Sequence, residues 1–146
     1  GGILTQYPFL PRLEHSPDIF FLVPGGSDTY EQRGSLVLLP HHSSLFHPDL
    51  VAASNAVVGK LGYSTLAEAY TAGIPYAFIP RARFPESLPL GQFAKTTMNA
   101  VELSEKQFFS GEWLDLLPDL LSLPRRQPDG PNGADEIAKK IIFDAK

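Results

Sequence analysis

Residues 55–68 read NAVVGKLGYSTLAE, and residues 72–80 follow as AGIPYAFIP. An apolar run, a turn carrying Gly59, Lys60, Gly62 and Tyr63, and a segment opening with Ser64 and Thr65 predict a buried strand, a glycine turn and a helix N-terminus. Such an arrangement gathers free backbone N–H groups and the positive end of a helix dipole, which suits a phosphate. Gly59 and Gly62 allow unusual backbone angles and close approach, Ser64 and Thr65 add hydroxyl donors, and Lys60 can neutralise charge from the turn. Glu68, about one helical turn further on, can accept hydrogen bonds from a ribose diol. A nucleotide-type ligand is the chemistry this spacing points to. The same letters also spell a plain capping box, Thr65-Leu66-Ala67-Glu68, with Thr65 as N-cap and Glu68 folded back onto its N–H.

Two further groups could act near such a ligand. His41-His42, with His47 close behind, follows the apolar run at residues 36–39, where loops in parallel sheets face ligands. No zinc-like spacing or acidic cluster accompanies these imidazoles, so lining a base or sugar pocket, or capping the next helix, is expected of them rather than holding a metal. After the apolar run at 76–79, PRARFPES brings Arg81, Arg83 and Glu86 to one edge. The arginines can bind an anion or make surface ion pairs, and Glu86 can meet a sugar hydroxyl or simply face solvent. Ser44, Asp49 and the histidines form no nucleophile elbow, so a hydrolase triad finds no support.

The elements that must carry these groups follow from the apolar pattern. Runs bounded by turn residues occur at 19–23, 36–39, 56–58, 76–79 and 100–103, apolar at nearly every position, as in strands covered on both faces of a parallel sheet. Helices are predicted at 48–54, 65–71, 90–98, 112–121 and 134–145. In the last, Ile137, Ile141 and Ile142 form a stripe expected to pack on the sheet. Alternating strands and helices predict an α/β domain. The segment PRRQPDGPNG at 124–133 predicts a loop rather than a domain boundary. The abrupt Gly1-Gly2 start, ahead of a short segment at 9–14, leads us to expect an earlier strand outside this chain, hence a truncated domain.

Composition narrows the classes. A chain of 146 residues with 43% hydrophobic residues suits one domain with a real core. The 12 Lys+Arg against 16 Asp+Glu give a net charge of −4 without a basic run, which argues against nucleic acid as a partner. The absence of cysteine excludes disulfides and thiolate metal sites and fits a cytoplasmic setting. No apolar run reaches the roughly 20 residues of a membrane span. The 14 prolines and 12 glycines punctuate apolar runs without forming a low-complexity tract, and no internal repeat is found.

At DLVAASNAVVGKLGYSTLAEAYTAGIPYAFIPR the chain resembles the donor-binding C-terminal half of two-domain (GT-B) glycosyltransferases, which include the peptidoglycan N-acetylglucosaminyltransferases. FLVPGGSD, KLGYSTLAEA, PRARFPES, FFSGEW and GPNGADEIAKKI extend the likeness over nearly the whole chain, and are similar to the glycosyltransferase-like N-terminal region of L-arabinokinases. The resemblance implies a Rossmann-like half of a GT-B architecture spanning residues 1–146, with helices on both faces of a parallel sheet. It implies that Gly62, Tyr63, Ser64 and Thr65 meet a donor diphosphate, Glu68 the ribose, the loop carrying His41 and His42 the base, and Glu86 the donor sugar. A nucleotide-sugar, UDP-linked, is then the substrate; no cofactor is expected, and an acceptor-binding half that supplies the catalytic base lies outside the chain.

Overall fold

The computed structural model describes residues 7–130 and 132–144. The opening Gly1-Gly2 lies outside those residues. In chain order the elements are α1 (Leu10–Leu13), β1 (Phe21–Ser27), β2 (Glu31–Arg33), β3 (Leu36–Pro40), α2 (His47–Ala53), β4 (Val57–Lys60), α3 (Tyr63–Ala72) and β5 (Tyr76–Ile79). They continue with α4 (Ser87–Thr97), β6 (Ala100–Glu102), α5 (Glu105–Ser110), a 3₁₀ segment (Glu112–Leu116), α6 (Leu117–Ser122) and α7 (Gly133–Asp144). The strands form two three-stranded sheets, in the orders β1-β3-β2 and β4-β5-β6.

The second sheet is wholly parallel, as its apolar runs predict. Its middle strand β5 is buried along its whole length, and successive side chains go to opposite faces. Tyr76 and Phe78 join one cluster with Val51 of α2, Leu66 and Ala69 of α3, and Ala94 of α4. Ala77 and Ile79 join the other, with Leu13 of α1, Phe108 of α5, Trp113, and Leu117 and Leu120 of α6. Helices therefore cover both faces, which makes this a Rossmann-like α/β fold. Leu36 and Leu38 of β3 belong to the same cluster as Ala77 and Ile79, so both sheets share one apolar layer.

In the first sheet β1 and β3 are parallel, with Phe21 beside Leu36 and Pro24 beside Leu39. The strand β2 is antiparallel to β3 and was not expected. Glu-Gln-Arg carries no apolar signal, and its pairing comes from a tight return of the chain toward β3 rather than from its own composition. The expected helix at 112–121 divides into the 3₁₀ segment and α6. Helix α5 opens with a true capping box: Ser104 Oγ accepts from the Gln107 N–H, and Gln107 Oε1 accepts from the Ser104 N–H.

The last helix departs from expectation. Ile137, Ile141 and Ile142 are each 63% exposed and Phe143 is 80% exposed, so the apolar stripe of α7 packs on no sheet among the described residues. Amphipathic spacing fixes which residues share a face, but a loop must deliver that face to the core.

That loop is instead a strap. Arg125 donates to the carbonyls of Ala72 (3.2 Å), Ala52 (3.0 Å) and Ser54 (2.9 Å), tying together the C-terminal ends of α2 and α3. A guanidinium there also complements the negative ends of both helix dipoles. Beside it Gly73 ends α3 at φ +69, and an added Cβ would lie 2.8 Å from the Arg126 carbonyl oxygen, so glycine is required on both counts.

Candidate functional site

The turn from β4 into α3 carries Lys60, Gly62, Tyr63, Ser64 and Thr65. Lys60 ends β4, Leu61 is buried, Gly62 is the N-cap, and α3 starts at Tyr63. The capping-box alternative does not hold. The helix begins two residues before Thr65, and no side chain caps it. Its first N–H groups at Tyr63, Ser64 and Thr65 are therefore left to a ligand or to solvent. Gly62 has φ −153, which any residue adopts, and neither Gly59 nor Gly62 has a positive φ. A Cβ at either would meet nothing within 4 Å. The expected need for unusual backbone angles is thus corrected: what these glycines provide is open approach.

Glu68 does not act as a capping-box residue. It does not fold back on the helix start; its Oε2 accepts from Nδ1–H of His47, 2.6 Å away on the first turn of α2. The pair joins α2 to α3 across 21 residues of sequence. The imidazole fixes one carboxylate oxygen and leaves Oε1 free to accept from hydroxyl groups. In the sequence His47 stands close to His41-His42. Its partner was invisible because only the packing of α2 on α3 brings them together.

Behind the turn, the Tyr76 hydroxyl donates to the Lys60 carbonyl at 2.8 Å. Burial raises its phenol well above the ordinary range, so it stays a neutral donor and holds the end of β4 in place.

A cleft of about 950 Å³ runs between β1 and β4. Lys60, Thr65 and His41 line it, together with Gly25 and Gly26. Gly25 has φ +70, and a Cβ there would lie 2.8 Å from His41 Nδ1, so glycine lets this imidazole reach the cleft. His42 is exposed and does not line it. Arg81 and Glu86 do not line it either. The Arg81 guanidinium lies 3.2 Å from the Phe84 ring centroid, and the Arg81 backbone N–H donates to Ser87 Oγ at 3.0 Å, while Glu86 is the N-cap of α4. The 80–87 turn is thus braced internally. Among the described residues no three His, Asp or Glu side chains gather as a metal site, and no helix is long and apolar enough to cross a membrane.

The strand order explains the position of the cleft. From β1 the chain adds strands outward to β3, then returns and adds β4, β5 and β6 in the other direction. Open parallel sheets bind ligands where this reversal occurs, beyond the carboxyl ends of the strands, and Lys60, Gly62 and His41 sit there.

The chain is similar to a segment of one curated protein. The chain is 32% identical over 121 residues to L-arabinokinase of Arabidopsis thaliana. The aligned stretch is 83% of this chain but 11% of that protein. No protein-family model and no solved structure matches. The relationship is thus to one segment of a much longer carbohydrate-related transferase.

Proposed function

We propose that this chain binds a nucleotide-sugar, UDP-linked, and forms the donor-binding half of a glycosyltransferase-like protein. The observation that carries the reading is the uncapped N-terminus of α3 at the point of strand reversal, approached through the open space at Gly62. The N–H groups of Tyr63, Ser64 and Thr65, with Lys60, receive the diphosphate. Glu68, oriented by His47, accepts from the ribose diol. His41 flanks the base, and His42, Arg81 and Glu86 stand further out toward the donor sugar. The chain's chemical part is electrostatic: fixed donors stabilise the negative charge that builds on the diphosphate as the sugar–phosphate bond breaks. The acceptor-binding half and the catalytic base belong to another segment.

Similarity to L-arabinokinase favours a second reading, in which the same pocket senses a nucleotide or nucleotide-sugar as an appendage of a sugar kinase. Calorimetric titration with UDP, GDP, ADP and TDP tests the shared core of both. Selective binding of UDP, weakened about tenfold or more in Glu68→Ala, is expected, since a lost hydrogen bond to an ionised group is worth about 1.5–3 kcal/mol. No binding to any of the four, or equal affinity in the variant, overturns the assigned site. Transfer of sugar from the donor by the full-length protein separates the first reading from the second.

A further inference from the structure

Each sheet ends in a strand with one free edge, and both edges line the same cleft. Among the described residues β1 pairs with β3 alone and β4 with β5 alone. The Phe21 N–H donates to Ser35, so by parallel alternation Leu22 turns its N–H and C=O away from β3, toward the cleft. On the other side Val57 and Leu61 donate to Pro75 and Ile79, so Val58 and the Lys60 N–H face the cleft. Pro24 has no N–H and ends the possible ladder on the β1 side.

The cleft walls between those edges are apolar, with Leu50 and Ala53 from α2 on one side and Leu117 and Leu121 from α6 on another. Trp113 also lines it, and its buried indole N–H has no hydrogen-bond partner. The β1 edge carries Phe20-Phe21-Leu22-Val23, with Phe20 74% exposed. A long apolar edge of this kind is a template for pairing, and natural edges are normally blunted by charge or covered.

The connections indicate where a covering strand comes from. The steps β3–α2–β4, β4–α3–β5 and β5–α4–β6 run in one direction and keep α2, α3 and α4 in one apolar cluster. A step from the cleft through α1 to β1 runs in the opposite direction. Uniform right-handed crossovers then demand that α1 lie on the other face, and Leu13 of α1 packs in the other cluster.

We infer that the cleft between β1 and β4 receives a further β-strand, apolar on both faces, supplied by the same polypeptide from upstream of α1. It runs parallel to both neighbours, about 4.8 Å from each, and fuses the two sheets into one. This inference is independent of the nucleotide reading, which concerns the rim of the cleft at α3.

Hydrogen exchange resolved to single amides tests it on the full-length natural polypeptide. The Leu22 and Val58 amides are expected to exchange about 100-fold or more slower than unprotected ones, at a rate independent of protein concentration. In a chain that starts at Tyr7 both are expected to exchange freely. Free exchange of these amides in the full-length protein overturns the inference whether or not the shortened chain folds. Protection that persists in the shortened chain, or that grows with protein concentration, also overturns it, the latter assigning the edge to a second copy.

Discussion

At the residue scale, the decisive groups are small ones whose setting changes what they do. Gly62 needs no special backbone angle and touches nothing with an added Cβ. Gly62→Val is therefore expected to cost no more than about 1 kcal/mol, the penalty of a poorer N-cap, in chemical denaturation. The same variant is expected to abolish measurable UDP binding by calorimetry, because the branched side chain fills the approach to the α3 N–H groups. Tyr76 acts from beneath. Tyr76→Phe is expected to lower stability by about 1 kcal/mol at pH 7 by leaving the Lys60 carbonyl without its donor. Burial raises the folded-state pKa of Tyr76 above that of the unfolded chain. Its contribution is present in full below about pH 10 and is lost as pH rises beyond that value, where the unfolded chain ionises first. Denaturation curves from pH 8 to 11 should show that alkaline loss in the natural protein and a shallower one in Tyr76→Phe.

Among the elements, what matters is how helix ends are held. The Arg125 strap satisfies carbonyls of α2 and α3 at once, and those are the two helices joined by His47 and Glu68. Arg125→Ala is expected to destabilise the protein by about 1–3 kcal/mol in thermal or chemical denaturation, with Arg125→Lys recovering only part, since an ammonium cannot span three acceptors in a planar fork. The helices themselves were legible in advance: α2, α3 and α4 fall where apolar spacing and turn residues set them, within a few residues of the expected bounds. The start of α3 was not. Thr65-x-x-Glu68 reads as a capping box, but Glu68 has a stronger partner in His47, and the helix extends back to Tyr63.

The whole molecule has its core in two clusters on either side of β5, and α7 stands apart from both. Ile141→Asp is accordingly expected to leave the unfolding midpoint of this chain within about 0.5 kcal/mol of its natural value, as for other exposed positions. A large loss would place α7 against the core. The exposed stripe and the open edges of β1 and β4 have the same character. Each is an apolar surface whose composition is that of an interior but whose described neighbours do not enclose it.

By itself, the sequence determined the fold class and the position of the glycine turn between β4 and α3. Unbroken apolar runs between turn residues must become strands covered on both faces, and the local letters of GKLGYST place two open glycines just ahead of a helix. Periodicity also set the stripe on α7, though not what it meets. Only the tertiary structure decided that Glu68 belongs to His47, that Arg125 clasps two helix ends, that β2 runs antiparallel, and that His41 reaches the cleft while Arg81 and Glu86 do not. The reason is physical. Strand and helix signals arise from neighbours two to four residues apart, whereas these contacts join residues that only the packing of whole elements brings within hydrogen-bond distance.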